Sequence, residues 1–177
     1  MLRQELGESL AARGLPCSEH CIVVSIDQQK LWFFAGEAAR EYVVSTARAG
    51  VGCVADSLQT PPGLHRVAEK IGAEAPPGMV FKARVPTGRI WTEGPAPEDN
   101  LITTRILWLE GLEPGRNAGR DAAGRLVDTK ARFVYIHGTN QAERLGTPNS
   151  HGCVLLSDRD VIDLFDRTPV GTPVYLR

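Results

Sequence analysis

The sequence predicts a mostly β fold, built of antiparallel strands with a few short helices at the periphery. Three observations predict it. Runs rich in β-branched and aromatic residues recur along the chain, among them "CIVVS", "REYVVST" and "LITTRILWLE", and such residues suit a pleated, half-buried surface. Glycine (18) and proline (12) are together slightly abundant in 177 residues, which favours many turns and hence many short strands. Only two stretches carry helical periodicity.

The first of these opens the chain. Leu2, Leu6 and Leu10 recur every four residues, and Gly14 and Pro16 end the pattern, so a short amphipathic helix is expected. "CIVVSIDQQKLWFF" then places two β-rich runs either side of "DQQ", a hairpin. Residues 40–46 follow as a third strand, and 80–85, 101–110 and 132–138 as further ones. "TPVYLR" closes the chain as the last. Stretches 47–79, 86–100 and 111–131 hold most of the Gly and Pro and read as loops, including "TEGPAPEDN" at 92–100. The second helix is "SDRDVIDLFDRT": Ser157 is a good N-cap, Asp160 three residues on approximates a capping box, and Val161, Leu164 and Phe165 form the apolar face.

Length and composition (42% apolar, 23% charged) fit one soluble domain with a hydrophobic core, residues 1–177, with 1–20 as an N-terminal helical extension. A net charge of −1 gives no electrostatic footprint for nucleic acid or an anionic membrane, and no run is long enough to span a bilayer. Glu5 and Glu8 interrupt the apolar stretch that a secretory signal needs, so a cytoplasmic location is expected, or a periplasmic one if the natural start lies elsewhere. Cys17, Cys21, Cys53 and Cys153 are then expected as free thiols. "CSEHC" (Cys17, His20, Cys21) offers half of a zinc site, but no second Cys/His pair has matching spacing.

Chemistry concentrates in "NSHGCVLLSD", residues 149–158. A cysteine acts as a nucleophile when it can reach its thiolate, and a nearby histidine is the usual base. His137 ends an apolar strand and is followed by Gly138, so it can project from a rigid edge, and the loop at 140–150 can bring Cys153 opposite. His151 lies two residues before Cys153, and His65 follows "TPPG". Gly152, without a side chain, lets a substrate approach, and the N–H groups of Gly152 and Cys153 are candidate donors to an oxyanion. Ser150 and His151 are placed to orient the turn. The bland alternative is a small buried hydrophobe at Cys153. A zinc alternative would use His137, His151 and Cys153, but an i, i+2 pair on a turn fixes ligands poorly and no fourth ligand is evident.

Together, "HGTN…LGTPNSHGCVLLS", the hairpin "IVVSIDQQKLWFF", "VSTARAGVG…QTPPGLHRVAEKIG" and "TTRILWLEG" resemble the L,D-transpeptidase catalytic domain, or YkuD domain, from about residue 21 to 177. The resemblance implies a β-sandwich-like fold with the cysteine in a groove. It makes Cys153 the acylating nucleophile and His137 the base, with its ring oriented by the backbone carbonyl of Gly138. His151 and Gly152 become oxyanion-side or substrate-contact residues, and Ser150, Thr139, Asn140 and Leu155 line the substrate. The implied substrates are peptidoglycan stem tetrapeptides or muropeptides, cut between the L-centre of a diamino acid and a terminal D-alanine. No metal or cofactor is implied, and carbapenems are implied covalent inhibitors. Leu155 departs from the pattern, since Arg or Asn is common two residues after the cysteine.

An acyl-enzyme can pass its acyl group to water or to a second stem's amine. A cytoplasmic setting supplies soluble muropeptides rather than packed stems. The expectation is therefore an L,D-carboxypeptidase of murein recycling, with a crosslinking or exchanging L,D-transpeptidase as the alternative and an inactive wall-peptide or partner-binding domain as a third reading.

Overall fold

The computed structural model describes residues 2–16, 18–92 and 100–177. In chain order the elements are helix α1 (Leu2–Ala11), strands β1 (His20–Ser25), β2 (Lys30–Ala35), β3 (Ala38–Val43), β4 (Gly63–Ile71), β5 (Met79–Lys82), β6 (Val85–Ile90), β7 (Ile102–Gly111), β8 (Tyr135–Gly138) and β9 (Val154–Leu156), helix α2 (Asp158–Arg167) and strand β10 (Pro173–Leu176). A single 3₁₀ turn, Ala142–Arg144, lies in the connection between β8 and β9.

The strands form one hydrogen-bonded sheet in the order β3-β2-β1-β10-β4-β7, which then branches. The start of β7 pairs with β5 and through it β6, and the rest of β7 pairs with β8, which pairs with β9. The far edges meet. Ser45, just after β3, exchanges two backbone hydrogen bonds with Leu155 of β9, at 3.1 and 2.8 Å. The sheet thus wraps round a core that includes Ile22, Val24, Leu107, Leu109, Ile136, Val154, Leu156 and Val174. On α2, Val161, Leu164 and Phe165 are buried in that core, and the helix packs on β7 and β8. Ser157 caps it by accepting a hydrogen bond from the Asp160 N–H. On the outer face Leu6 and Leu10 of α1 cover Cys21, Val23 and Leu64. Both faces of β1 are therefore buried, which explains its unbroken apolar run.

The sheet is mostly antiparallel, as expected, but two of its pairings are parallel. β1 pairs with β10, and β8 with β9, in parallel. Parallel neighbours need a long crossover instead of a tight turn, and residues 139–153 supply one between β8 and β9. The expected strand 80–85 is a hairpin: β5 and β6 are joined by Ala83 and Arg84, with Ala83 at φ 55°. The expected loop at 47–79 contains β4, which lies between β10 and β7 near the middle of the sheet. The loop at 86–100 begins with most of β6, and its segment 93–99 lies outside the described residues. Of the expected strand 132–138, residues 132 and 133 lie in a turn ahead of β8, with Phe133 at φ 56°. Among the described residues no helix is long and apolar enough to cross a membrane.

Candidate active site

Alternation along β8 and β9 sorts their side chains onto two faces. Ile136, Val154 and Leu156 point into the core. Tyr135, His137, Cys153 and Leu155 line a cavity of about 420 Å³ on the other side. His137 is the register partner of Leu155, so Cys153 lies two residues away on the neighbouring strand line. With strands ~4.8 Å apart and ~3.3 Å of rise per residue, that diagonal spans roughly 8 Å between Cα atoms, which a histidine and a cysteine side chain cover together.

The His137 ring is fixed at one end. Its Nδ1 lies 2.7 Å from the Gly138 carbonyl oxygen, which makes Nδ1 the protonated nitrogen and leaves Nε2 with its lone pair. Gly138 itself is packed so closely that a Cβ there would stand 2.7 Å from both Asp158 Oδ1 and the Thr103 carbonyl oxygen. Asp158, the first residue of α2, also accepts hydrogen bonds from the Thr103 and Thr104 hydroxyls. The helix start is thereby tied to β7, and Gly138, at the end of the strand that carries His137, packs against both.

The turn before Cys153 is stapled from within. Ser150 Oγ accepts from the Gly152 N–H at 3.1 Å and donates to the Cys153 carbonyl at 2.5 Å. Thr60 Oγ1 donates to the Gly152 carbonyl at 3.0 Å. Gly152 has φ 129°, and a Cβ would meet the Gln59 carbonyl oxygen at 3.3 Å, so glycine is required there. The Gly152 N–H is engaged by Ser150 Oγ, whereas the Cys153 N–H has no hydrogen-bond partner among the described residues. Ser150 orients the turn, as expected, and also lines the cavity.

Burial governs the charge state of both reactive groups. It pushes the Cys153 thiol up to about 11, against the Tyr135 N–H, which donates to Sγ at 3.3 Å, and the Arg132 guanidinium, both of which lower it. It pushes the His137 imidazole down to about 4, against the bond to Gly138. Near neutral pH the pair is a thiol and a neutral imidazole.

The remaining expected residues divide. His151 is exposed at the cavity rim, and Leu155 forms part of its floor. Thr139 and Asn140 are buried and do not line the cavity. Thr139 Oγ1 donates to Asn100 Oδ1 at 2.9 Å, and Asn140 Oδ1 accepts from the Leu101 N–H at 2.7 Å, so both tie the 100–101 segment to the end of β8. His65 lies elsewhere, buried between the Gly63 carbonyl and Thr129 Oγ1. Sequence reasoning missed Arg84, Asn100, Ile102, Phe133 and Tyr135, which complete the wall with Ala83. Tyr135 has a local signal, since it stands two residues before His137 on the same strand face. Arg84 has none. Among the described residues no three His, Cys, Asp or Glu side chains are placed to hold a metal ion.

The family model of the YkuD L,D-transpeptidase catalytic domain matches residues 19–176. YqjB of Bacillus subtilis (strain 168), provisionally named an L,D-transpeptidase, is 41% identical over 73 residues, which are 38% of this chain and 39% of that protein. YkuD of the same strain, named in the same way, is 28% identical over 92 residues, 52% of this chain and 50% of that protein. The matches thus span half or less of these relatives' length. Among solved structures, L,D-transpeptidase 3 from Mycobacterium tuberculosis, in complex with a faropenem-derived adduct, has a TM-score of 0.55 at 16% identity, over 90% of this chain and 60% of that one. LdtMt1, an LD transpeptidase in complex with imipenem, has a TM-score of 0.52 at 19% identity, over 90% and 59%. At these identities the likeness is one of fold. With the family model matching nearly the whole chain, the chain belongs to the L,D-transpeptidase catalytic domain (YkuD) family.

Proposed function

We propose that this chain is an L,D-carboxypeptidase: a cysteine enzyme that removes the terminal D-alanine from peptidoglycan stem tetrapeptides through an acyl-enzyme on Cys153. One observation carries the reading. Cys153 and His137 share one cavity face of β8 and β9, with the His137 ring tied at Nδ1 so that Nε2 is left to take a proton.

The chemistry follows from that arrangement. Cys153 Sγ attacks the carbonyl of the diamino acid's L-centre while His137 Nε2 takes the thiol proton. The oxyanion lies towards the Cys153 N–H. Collapse breaks the C–N bond, and D-alanine leaves with the proton from the imidazolium. Water then gives a proton to His137 and its oxygen to the thioester carbonyl, and the tripeptide departs as the thiol is restored.

Water is favoured as acceptor by what the cavity wall lacks. Among the described residues no carboxylate lines it, so no anionic side chain there holds the ammonium group of a second stem while it gives up its proton. Water needs no such anchor. Family membership favours transpeptidation as the second reading. The two divide by partition: with tetrapeptide and an excess of D-methionine as amine, tripeptide is the expected main product. A majority of D-methionine exchange product would establish a transpeptidase. The carbapenem and penem complexes of the structural neighbours lead to a further expectation, a stoichiometric imipenem mass shift on Cys153 that the Cys153→Ala variant lacks. A binding domain without catalysis would show no shift.

A further inference from the structure

We infer that Arg84 is the residue that recognises a carboxylate of the stem peptide, the distal one on the diaminopimelate side chain, and so selects diaminopimelate stems. This inference takes its substrate from the carboxypeptidase reading. Arg84 is the second residue of the two-residue turn joining β5 to β6, and it lines the same cavity as Cys153 and His137. Its guanidinium stacks on Trp108 and Phe133, 4.6 and 4.9 Å from the ring centroids, and Nη1 donates to Tyr135 Oη at 3.0 Å. Among the described residues no carboxylate lies within ion-pair distance of it. A guanidinium has five N–H donors in a rigid fork suited to a carboxylate. One is used here, and the ring stacking holds the plane before a ligand arrives.

Position selects among the carboxylates of the peptide. Tyr135 touches both ends of the site: its N–H donates to Cys153 Sγ and its hydroxyl receives Arg84. The guanidinium therefore stands about one tyrosine side chain from the sulfur. The D-alanine carboxylate is three bonds from the reacting carbonyl carbon and leaves with the product. The distal diaminopimelate carboxylate is six bonds away, stays on the acyl group and has the longer reach required.

The test compares a diaminopimelate tetrapeptide with its distal-amide counterpart, using the full chain, its Arg84→Met and its Arg84→Lys variants. A charge-assisted carboxylate contact predicts that the wild type favours the acid over the amide by about ten- to a hundredfold in kcat/KM, chiefly through KM. Arg84→Met should abolish that preference, and Arg84→Lys should keep part of it. The preference is a ratio within each variant, so it does not depend on how much of the variant folds. A wild type without preference, or a preference that survives Arg84→Met, overturns the inference. Calorimetric binding of the two peptides to Cys153→Ala, with and without Arg84→Met, gives the same comparison without turnover. If wild type turns over neither peptide, the carboxypeptidase reading fails, and the binding comparison still decides the role of Arg84. Binding of neither peptide overturns both.

Discussion

His137 and Cys153 are each held in the uncharged form by burial, with the imidazole down to about 4 and the thiol up to about 11. A neutral imidazole is the form that accepts a proton, and here it persists well below the pH at which an ordinary histidine is half charged. Imipenem acylation of Cys153, followed by intact mass, should therefore stay flat from about pH 8 to 5 and fall only as pH approaches 4. An inflection near pH 6.5 would show an ordinary histidine at work. At Gly138, alanine would drive its Cβ against Asp158 and the Thr103 carbonyl. Gly138→Ala should cost about 1–3 kcal/mol of stability, the usual range for overpacking, read from urea unfolding. It should also displace the carbonyl that orients His137, lowering acylation further than the lost stability explains. Cys153 and His137 are legible in the sequence because their motifs are contiguous in the chain. Arg84 is not, because a lone arginine in a two-residue turn gains meaning only when the sheet brings β5 alongside β7 and Tyr135 of β8 under it.

Three elements build the site: the short parallel pair β8 and β9, the stapled turn ahead of β9, and the N-terminus of α2. The helix was readable in full, cap included, because Ser157 and the Val161, Leu164, Phe165 spacing are local signals. Ser157→Ala should remove the bond to the Asp160 N–H and destabilise the fold by about 1 kcal/mol, seen as a lower urea midpoint with an unchanged slope. The missed strands have physical reasons. β9 has three residues, too few for a period. β6 is exposed along its whole length and shows no apolar alternation. In β4 Leu64 and Val67 are three residues apart and bury on opposite faces of the sheet, a bulge follows between Val67 and Glu69, and the charged residues beyond it resemble a loop, so no apolar alternation is visible.

On the scale of the molecule, the mostly β character was legible because it rests on composition and repeated strand runs. The wrapping of the sheet was not, since it depends on the Ser45–Leu155 bridge and on two parallel pairings between distant segments. That wrapping buries a second histidine, His65, whose imidazole is likewise pushed down to about 4 by burial. Both histidines bind a proton more readily in the unfolded chain, near pH 6.5, than in the folded one. Stability should thus be complete above pH 6.5 and fall as pH drops towards 4, by up to about 3 kcal/mol for each histidine. His65→Gln should flatten that fall by one proton, as read from urea midpoints between pH 7 and 4.5. Above all, Cys153 should cleave a stem peptide and hand the acyl group to water. Mass spectrometry of the products from a soluble diaminopimelate tetrapeptide, with the wild type and Cys153→Ala side by side, reads this in one experiment. The wild type should give tripeptide and free D-alanine, and the variant neither. Crosslinked dimer without tripeptide, or tripeptide formed equally well by Cys153→Ala, would rule out a Cys153 hydrolase.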